Sequence, residues 1–266
     1  ARPILIRHIS LGDGYSFAQT LMRVSAAARA HVIETFEGEG AGFHSHAFMM
    51  AVKDGAQFER TLISEAGAEM VIHSLLGARM GAGAKFTMTG LSTGGRLCRH
   101  DTRIRIAGAG AKIDMATAAL LSGARHNDFS SGFGFFAEGG EVSQRHKGVA
   151  TDKARNVFQG KFRVMREGQK TDARMNADAL LLSEGAESNS KPELEIYADN
   201  VQCAHGSTSG ALDEKAIFYM RQRGLSEPQA RAMLIEAFVA SAFDNVAHPG
   251  VAEALRHRVA RWLEGV

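Results

Sequence analysis

Cys203 and His205 are the residues of this chain best suited to chemistry. In an extended segment their i, i+2 spacing points both side chains the same way, and Ala204, Gly206 and Ser207 leave room for a ligand or partner to approach. Thiolate and imidazole suit soft and borderline metals, iron included. The same residues also read as a strand end with a partly buried cysteine. Residue types alone leave both readings open.

Other candidates are weaker. His44 and His46 in GFHSHAF share the i, i+2 spacing of a metal pair, but no Cys or carboxylate at helpful spacing completes the set. They are expected to face solvent or an interface. His126-Asn127-Asp128 is a triplet common in turns. Cys98 sits among Arg96, Arg99 and His100, which would lower a thiol pKa, yet a lone cysteine in a strand pattern is expected to be a small core residue. Asp101, Asp114 and Asp172 are the carboxylates a polysaccharide hydrolase would pair, and their separation is not set by sequence. The clusters Gly38-Glu39-Gly40-Ala41-Gly42 and Gly108-Ala109-Gly110 lack both the strand-to-helix context and the Gly-Lys-Ser/Thr ending of phosphate loops.

The elements that must hold these residues are strands first and helices last. Among 266 residues there are 29 glycines and only 4 prolines, so the chain has many turns needing positive φ and few interruptions to backbone pairing. An echo of Gly-Ala-x-apolar recurs at Gly55, Gly67, Gly83 and Gly110. Each reads as a turn glycine, a small inward residue and then larger inward residues such as Phe86 and Met88. Short strands of this kind stack as rungs, with variable loops because the spacing is irregular. The pattern predicts a parallel β-helix, with a β-sandwich as the competing arrangement. Leu194, Ile196, Ala198 and Val201 alternate into the Cys203 segment.

After Gly210 the pattern changes to helical. Asp213 is an N-cap for a helix through about Arg223, with Gly224 at C′. Ser226-Glu227-Pro228-Gln229 is a capping box with Pro in the first turn, followed by Ala230, Met233, Leu234, Ala237 and Phe238 on one face. A last helix from about Val251 places Leu255, Val259, Trp262 and Leu263 on one stripe. The expected division is a β-helix core over residues 1–210 and a helical region over 211–266.

Composition excludes several classes. A net charge of +2 is too small to imply nucleic acid or an anionic membrane as partner. No apolar run is long enough to span a bilayer, the N-terminus lacks a secretory h-region, and two distant cysteines make no disulfide framework. A cytoplasmic location is expected. A β-helix carbohydrate-active enzyme is one functional alternative, although 7% aromatic residues and a single tryptophan do not favour a sugar-binding groove. A structural, self-assembling β-helix is another.

LEIYADNVQCAHGSTSG followed by LDEKAIFYMRQRGL closely resembles the C-terminal signature of the SufB/SufD family, the scaffold proteins of the SUF iron–sulfur cluster assembly machinery. HKGVATDKARNVFQGKFRV and QKTDARMNADALLLSEGAESNSKPELEI match the same family in order and spacing. Within it the resemblance is to the SufD branch: Ala177 stands where the SufB type carries a cysteine, and His205-Gly206 replaces a His-Glu pair. Phe133-Gly134-Phe135-Phe136 stands where the family often has a histidine. Members usually carry a helical region ahead of the β-helix, and this sequence starts within the β-helix pattern.

The resemblance implies a right-handed parallel β-helix with C-terminal helices and a non-catalytic scaffold role. Its partners would be a SufB-type paralogue as heterodimer and a SufC-type ABC ATPase, with a homodimer when isolated. It implies His205 at the nascent-cluster interface, as the candidate metal ligand, with Cys203 its neighbour. Asp213, Phe218, Tyr219, Arg223, Met233 and Phe238 would dock the ATPase. No cofactor is expected to be held stably by this subunit alone; the nascent iron–sulfur cluster and reduced flavin belong to the complex. Without a Walker motif in the chain, ATP hydrolysis falls to the partner.

Overall fold

Alternation of inward and outward side chains organises a computed structural model that describes residues 2–265. The chain runs through β1 (Ile4–Leu11), β2 (Tyr15–Val24), β3 (Arg29–Glu39), β4 (Phe43–Val52), β5 (Gln57–Ala66), β6 (Val71–Met80), β7 (Lys85–Ser92) and β8 (Leu97–Ile106). It continues through β9 (Lys112–Leu121), β10 (His126–Phe135), β11 (Glu141–Ala150), β12 (Arg155–Val164), β13 (Asp172–Leu181), β14 (Glu187–Ile196) and β15 (Gln202–Gly210). Odd strands form an eight-stranded sheet in the order β1-β3-β5-β7-β9-β11-β13-β15, and even strands a seven-stranded sheet from β14 to β2. Each strand pairs in parallel with the strand two further on, so every turn contributes one strand to each sheet. The result is a parallel β-solenoid of about 7 turns.

The corners explain both the glycine content and the irregular echo. Between the even sheet and the odd sheet, Gly55, Gly83, Gly110 and Gly139 stack with φ of 65°, 59°, 67° and 68°. Each amide donates to a carbonyl of the next turn, Gly55 to Ala82, Gly83 to Ala109 and Gly110 to Glu138. Left-handed backbone costs glycine nothing. Asp54 locks the same corner by accepting from the Ala82 amide, 28 residues on. Behind these glycines Ala56, Ala84 and Ala111 are fully buried, followed inward by Phe58, Phe86 and Ile113. Gly67 belongs to the opposite corner, where its amide bonds Gly38 and Ala68 is exposed. The echo therefore mixes two corners of one regular turn, and most strands are ten residues long rather than short.

Helices follow the last strand: α1 (Glu214–Gln222), α2 (Glu227–Ala240) and α3 (Pro249–Leu263). Asp213 caps α1 by accepting from the Lys215 amide, Gly224 follows at φ 91°, and Ser226 with Gln229 forms both halves of the capping box. Ile217, Ala230, Ile235, Val239, Leu255 and Val259 pack with Ile63, Leu91, Ala118, Leu120 and Val149 of the eight-stranded sheet. That covers one outer face of the solenoid, and Arg258 and Arg261 of α3 clamp it by donating to Glu65 at 2.8 and 3.0 Å. The buried stripe of α2 runs through Ala230, Ile235 and Val239, whereas Met233 and Ala237 face outward. The expected stripe is thus rotated toward Ile235, where the helix packs on β11 and between α1 and α3. No helix among the described residues is long and apolar enough to cross a membrane.

Candidate functional site

The sequence pair Cys203 and His205 lies on β15, the terminal strand of the eight-stranded sheet, and β14 ends the seven-stranded sheet at the same end of the solenoid. Register places Cys203 beside Ala173 and His205 beside Met175 of β13. Ala173 and Met175 point into the solenoid and are buried, so Cys203 and His205 continue the inward columns at the last turn, where no described strand covers them. His205 is exposed as a result, and Cys203 is half-buried against the core. Burial, with Asp172 nearby, pushes the Cys203 thiol up, away from thiolate at neutral pH.

The two edges at this end differ in chemistry. β14 carries Lys191, Pro192, Glu193 and Glu195, charges and a proline that discourage edge pairing. β15 reads QCAHGSTSG, with no lysine, acid or proline along an exposed edge. Its outward backbone N–H and C=O groups form a template for another strand.

A chain of contacts ties this edge to the helices. The Thr208 hydroxyl donates to Asp178 at 2.5 Å, Lys147 donates to the same carboxylate at 2.7 Å, and the Lys147 ammonium lies 4.7 Å from the Phe238 ring of α2. Burial opposes ionisation of Asp178, but the hydrogen bonds from Lys147, Thr208 and Asn176 outweigh it and hold the carboxyl below its ordinary range. Asp213 is occupied by its cap. Phe218, Tyr219 and Met233 are 64%, 59% and 50% exposed, and the Arg223 guanidinium lies over the Tyr219 ring while donating to its hydroxyl at 2.6 Å. Phe238 alone of the apolar candidates on these helices is mostly turned inward.

The remaining candidates have structural employment. Cys98 is fully buried, with its thiol pushed up to about 11 by burial. Asp101 is bound by Arg99 and Arg103, Asp128 by Arg99, Asp114 by Arg145 and Asn245, and Asp172 by Arg174. The carboxylates that a hydrolase would need free are thus in ion pairs. Phe133 and Phe135 are core residues.

His44 and His46 correct the expectation of a solvent or interface position: both are buried inside the solenoid. The missing carboxylate exists, supplied by Glu34 of β3, which lies 2.7 Å from His46 Nδ1 and 3.1 Å from His8 Nε2. Arg60, 1% exposed, holds the other Glu34 oxygen through Nε and Nη2 at 2.9 and 2.6 Å. Burial opposes the Glu34 charge, yet Arg60 first and then the two imidazoles hold this carboxyl well below the usual range. Sequence reasoning missed this cluster. Its signal lies in strand parity, since Glu34 falls on the inward phase shared by Val32 and Phe36.

The chain matches the family described as "SUF system FeS cluster assembly, SufBD core domain" over residues 8–238. It is 28% identical to the iron–sulfur cluster assembly protein SufD of Escherichia coli strain K12 over 269 residues, covering 100% of this chain and 57% of that protein. An iron–sulfur cluster assembly SufBD family protein of Synechocystis is 33% identical over 166 residues, 62% of this chain and 37% of the relative. The chloroplastic protein ABCI7 of Arabidopsis thaliana is 26% identical, covering 97% of this chain and 57% of its own length. The chain thus spans less than two thirds of each of these relatives.

Proposed function

The chain belongs to the SufBD core-domain family of the SUF iron–sulfur cluster assembly system, and from that membership we propose that it acts as a SufD-type scaffold for nascent clusters. The observation that carries the reading is the uncovered β15 edge, which holds His205 exposed at the end of an inward column. A single imidazole supplies one ligand to iron, and the group of three potential metal ligands found among the described residues lies elsewhere. The remaining ligands therefore come from a partner, a SufB-type paralogue whose strand extends the sheet at β15. In isolation a second copy takes that place as a homodimer.

The helices face a different partner. Phe218, Tyr219 and Met233 give a SufC-type ATPase an apolar surface with Arg223 at its margin, an anatomy suited to a docking hot spot. Movement there reaches β15 through Phe238, Lys147, Asp178 and Thr208, which touch in series. The cluster is cargo, assembled with iron delivered to the interface and electrons from reduced flavin in the complex. This subunit is non-catalytic and leaves ATP hydrolysis to the partner.

Anaerobic reconstitution with ferrous iron and sulfide, with and without both partners, tests the reading by absorption spectroscopy. The complex forms the visible cluster band and the chain alone does not. His205→Ala lowers that band at least tenfold, while Cys203→Ala, whose thiol is half-buried and disfavoured as thiolate, keeps most of it. Full cluster formation by His205→Ala within an intact complex would remove His205 from the mechanism.

A further inference from the structure

The far end of the solenoid from β15 holds a buried constellation that the scaffold reading does not use. We infer that His8, Glu34 and His46 form a site for a divalent first-row transition-metal cation of octahedral preference, of the ferrous iron type. The three residues come from β1, β3 and β4, and their ligand atoms lie within 4.8 Å of one another. Glu34 and His46 are wholly enclosed, whereas the His8 side chain keeps 9% exposure on the first strand of its sheet.

Geometry distinguishes this set from an ordinary hydrogen-bonded cluster. His46 Nδ1 is 2.7 Å from Glu34 Oε1 but does not meet it in hydrogen-bond geometry, and this buried nitrogen has no other partner. Its Nε2 is engaged on the far side by the Thr20 hydroxyl at 3.0 Å. In the tautomer that donates from Nε2 to Thr20, the Nδ1 lone pair faces the carboxylate, and a cation between them is bound by both. Outer partners of this kind orient metal-binding imidazoles in established sites.

The separations also select the metal class. With metal–ligand bonds of ~2.1 Å, the N···O distances of 2.7 and 3.1 Å subtend near right angles, whereas tetrahedral ligands would stand about 3.4 Å apart. Glu34 Oε1 thus stands cis to each imidazole, and two imidazoles with one carboxylate are a donor set that suits ferrous iron and leaves open positions. His44 lines the same space: its ring lies 5.1 Å from that of His8, its Nδ1 is held by Ser16 at 2.7 Å, and its Nε2 is buried without a partner. Arg60 already balances the carboxylate through Oε2, so the cation retains its charge and favours water or hydroxide in the open positions.

The test uses the untagged, chelator-treated chain. Co2+ is titrated with absorption and thermal unfolding as readouts, and Fe2+ is measured anaerobically by equilibrium dialysis. One equivalent binds, the Co2+ bands have the low intensity of six-coordination, and the metal raises the unfolding temperature because it binds only the folded state. His8→Ala, at the edge strand, folds without metal as the wild type does yet loses affinity at least tenfold. His205→Ala binds as the wild type does, which separates this site from the cluster edge. Absence of stoichiometric binding, intense tetrahedral Co2+ bands, or unchanged affinity in a folded His8→Ala would each overturn the assignment.

Discussion

Glu34→Gln is expected to destabilise the metal-free protein by about 3–5 kcal/mol, the usual consequence of removing one partner from a buried ion pair. The amide keeps the shape of the side chain and most of its contacts. What it loses is the charge that Arg60, 1% exposed and bound twice to Oε2, requires in order to be buried. Arg60 has little else to turn to: its Nη1 meets Met88 Sδ at 3.7 Å, and its guanidinium lies 5.6 Å from the Phe48 ring. A double replacement, Glu34→Leu with Arg60→Met, is expected to recover most of that loss. Leu62 already stands beside Glu34 in register and Met88 beside Arg60, so the substitutions extend existing apolar columns. Urea unfolding of the two variants in chelator measures both effects. Equal destabilisation by the single and double replacements would show that the charge imbalance is not the cause.

Acidification is expected to unfold the solenoid while its surface ion pairs are still largely ionised. His100 and His146 are buried, and burial lowers them to about 3 and about 4. His146 lies between Thr117 and Asn156 at 2.9 and 3.0 Å, and His100 contacts Ser74 at 2.8 Å; burial outweighs the Asn156 bond, which favours the protonated His146. Their folded pKa values lie below the unfolded value of ~6.5, so the unfolded chain binds more protons across that interval. Stability therefore rises with pH in this window and falls as pH drops from ~6.5 toward ~4. At full effect the two groups give a slope of about 2–3 kcal/mol per pH unit. His146→Gln should flatten the profile, although it lowers stability at neutral pH. Denaturant midpoints across this range provide the check, and a flat profile between ~6.5 and ~5 would contradict the assignment.

Much of the architecture is legible in local pattern. Alternation at Ala84, Phe86 and Met88 gives the inward face, the glycines give the corners, and Asp213, Ser226 and Gly224 mark helix boundaries through capping chemistry that depends on adjacent residues only. The His205 edge is legible for the same reason, because the strand pattern stops at Gly210. What the sequence hides is register between turns. Glu34 and Arg60 are 26 residues apart and the His46–Thr20 contact spans the same distance; only the length of a turn brings such residues together. Gly67 obscures that length because it resembles the other glycines while belonging to the opposite corner. The i, i+2 pattern at His44 and His46 shows that they share a face but not which one. That choice is made by the inward phase of the neighbouring turns, where Ile72 and Ser74 stand beside them. The α2 stripe is not legible in the same way: apolar residues surround this helix, and its inward face through Ala230, Ile235 and Val239 is chosen by the neighbours it packs on, leaving Met233 and Ala237 exposed.

That β15 is the edge at which a paralogous partner completes the cluster site is tested most directly by hydrogen exchange on this chain alone and with the SufB-type partner. At dilution that keeps the isolated chain monomeric, outward-facing amides between Gln202 and Gly210 are expected to exchange rapidly, and they become protected when the partner binds, with His205 at the centre of the protected segment. Protection confined to the α1 and α2 surface or to the β1 end, with β15 still exchanging rapidly in the complex, would contradict that role.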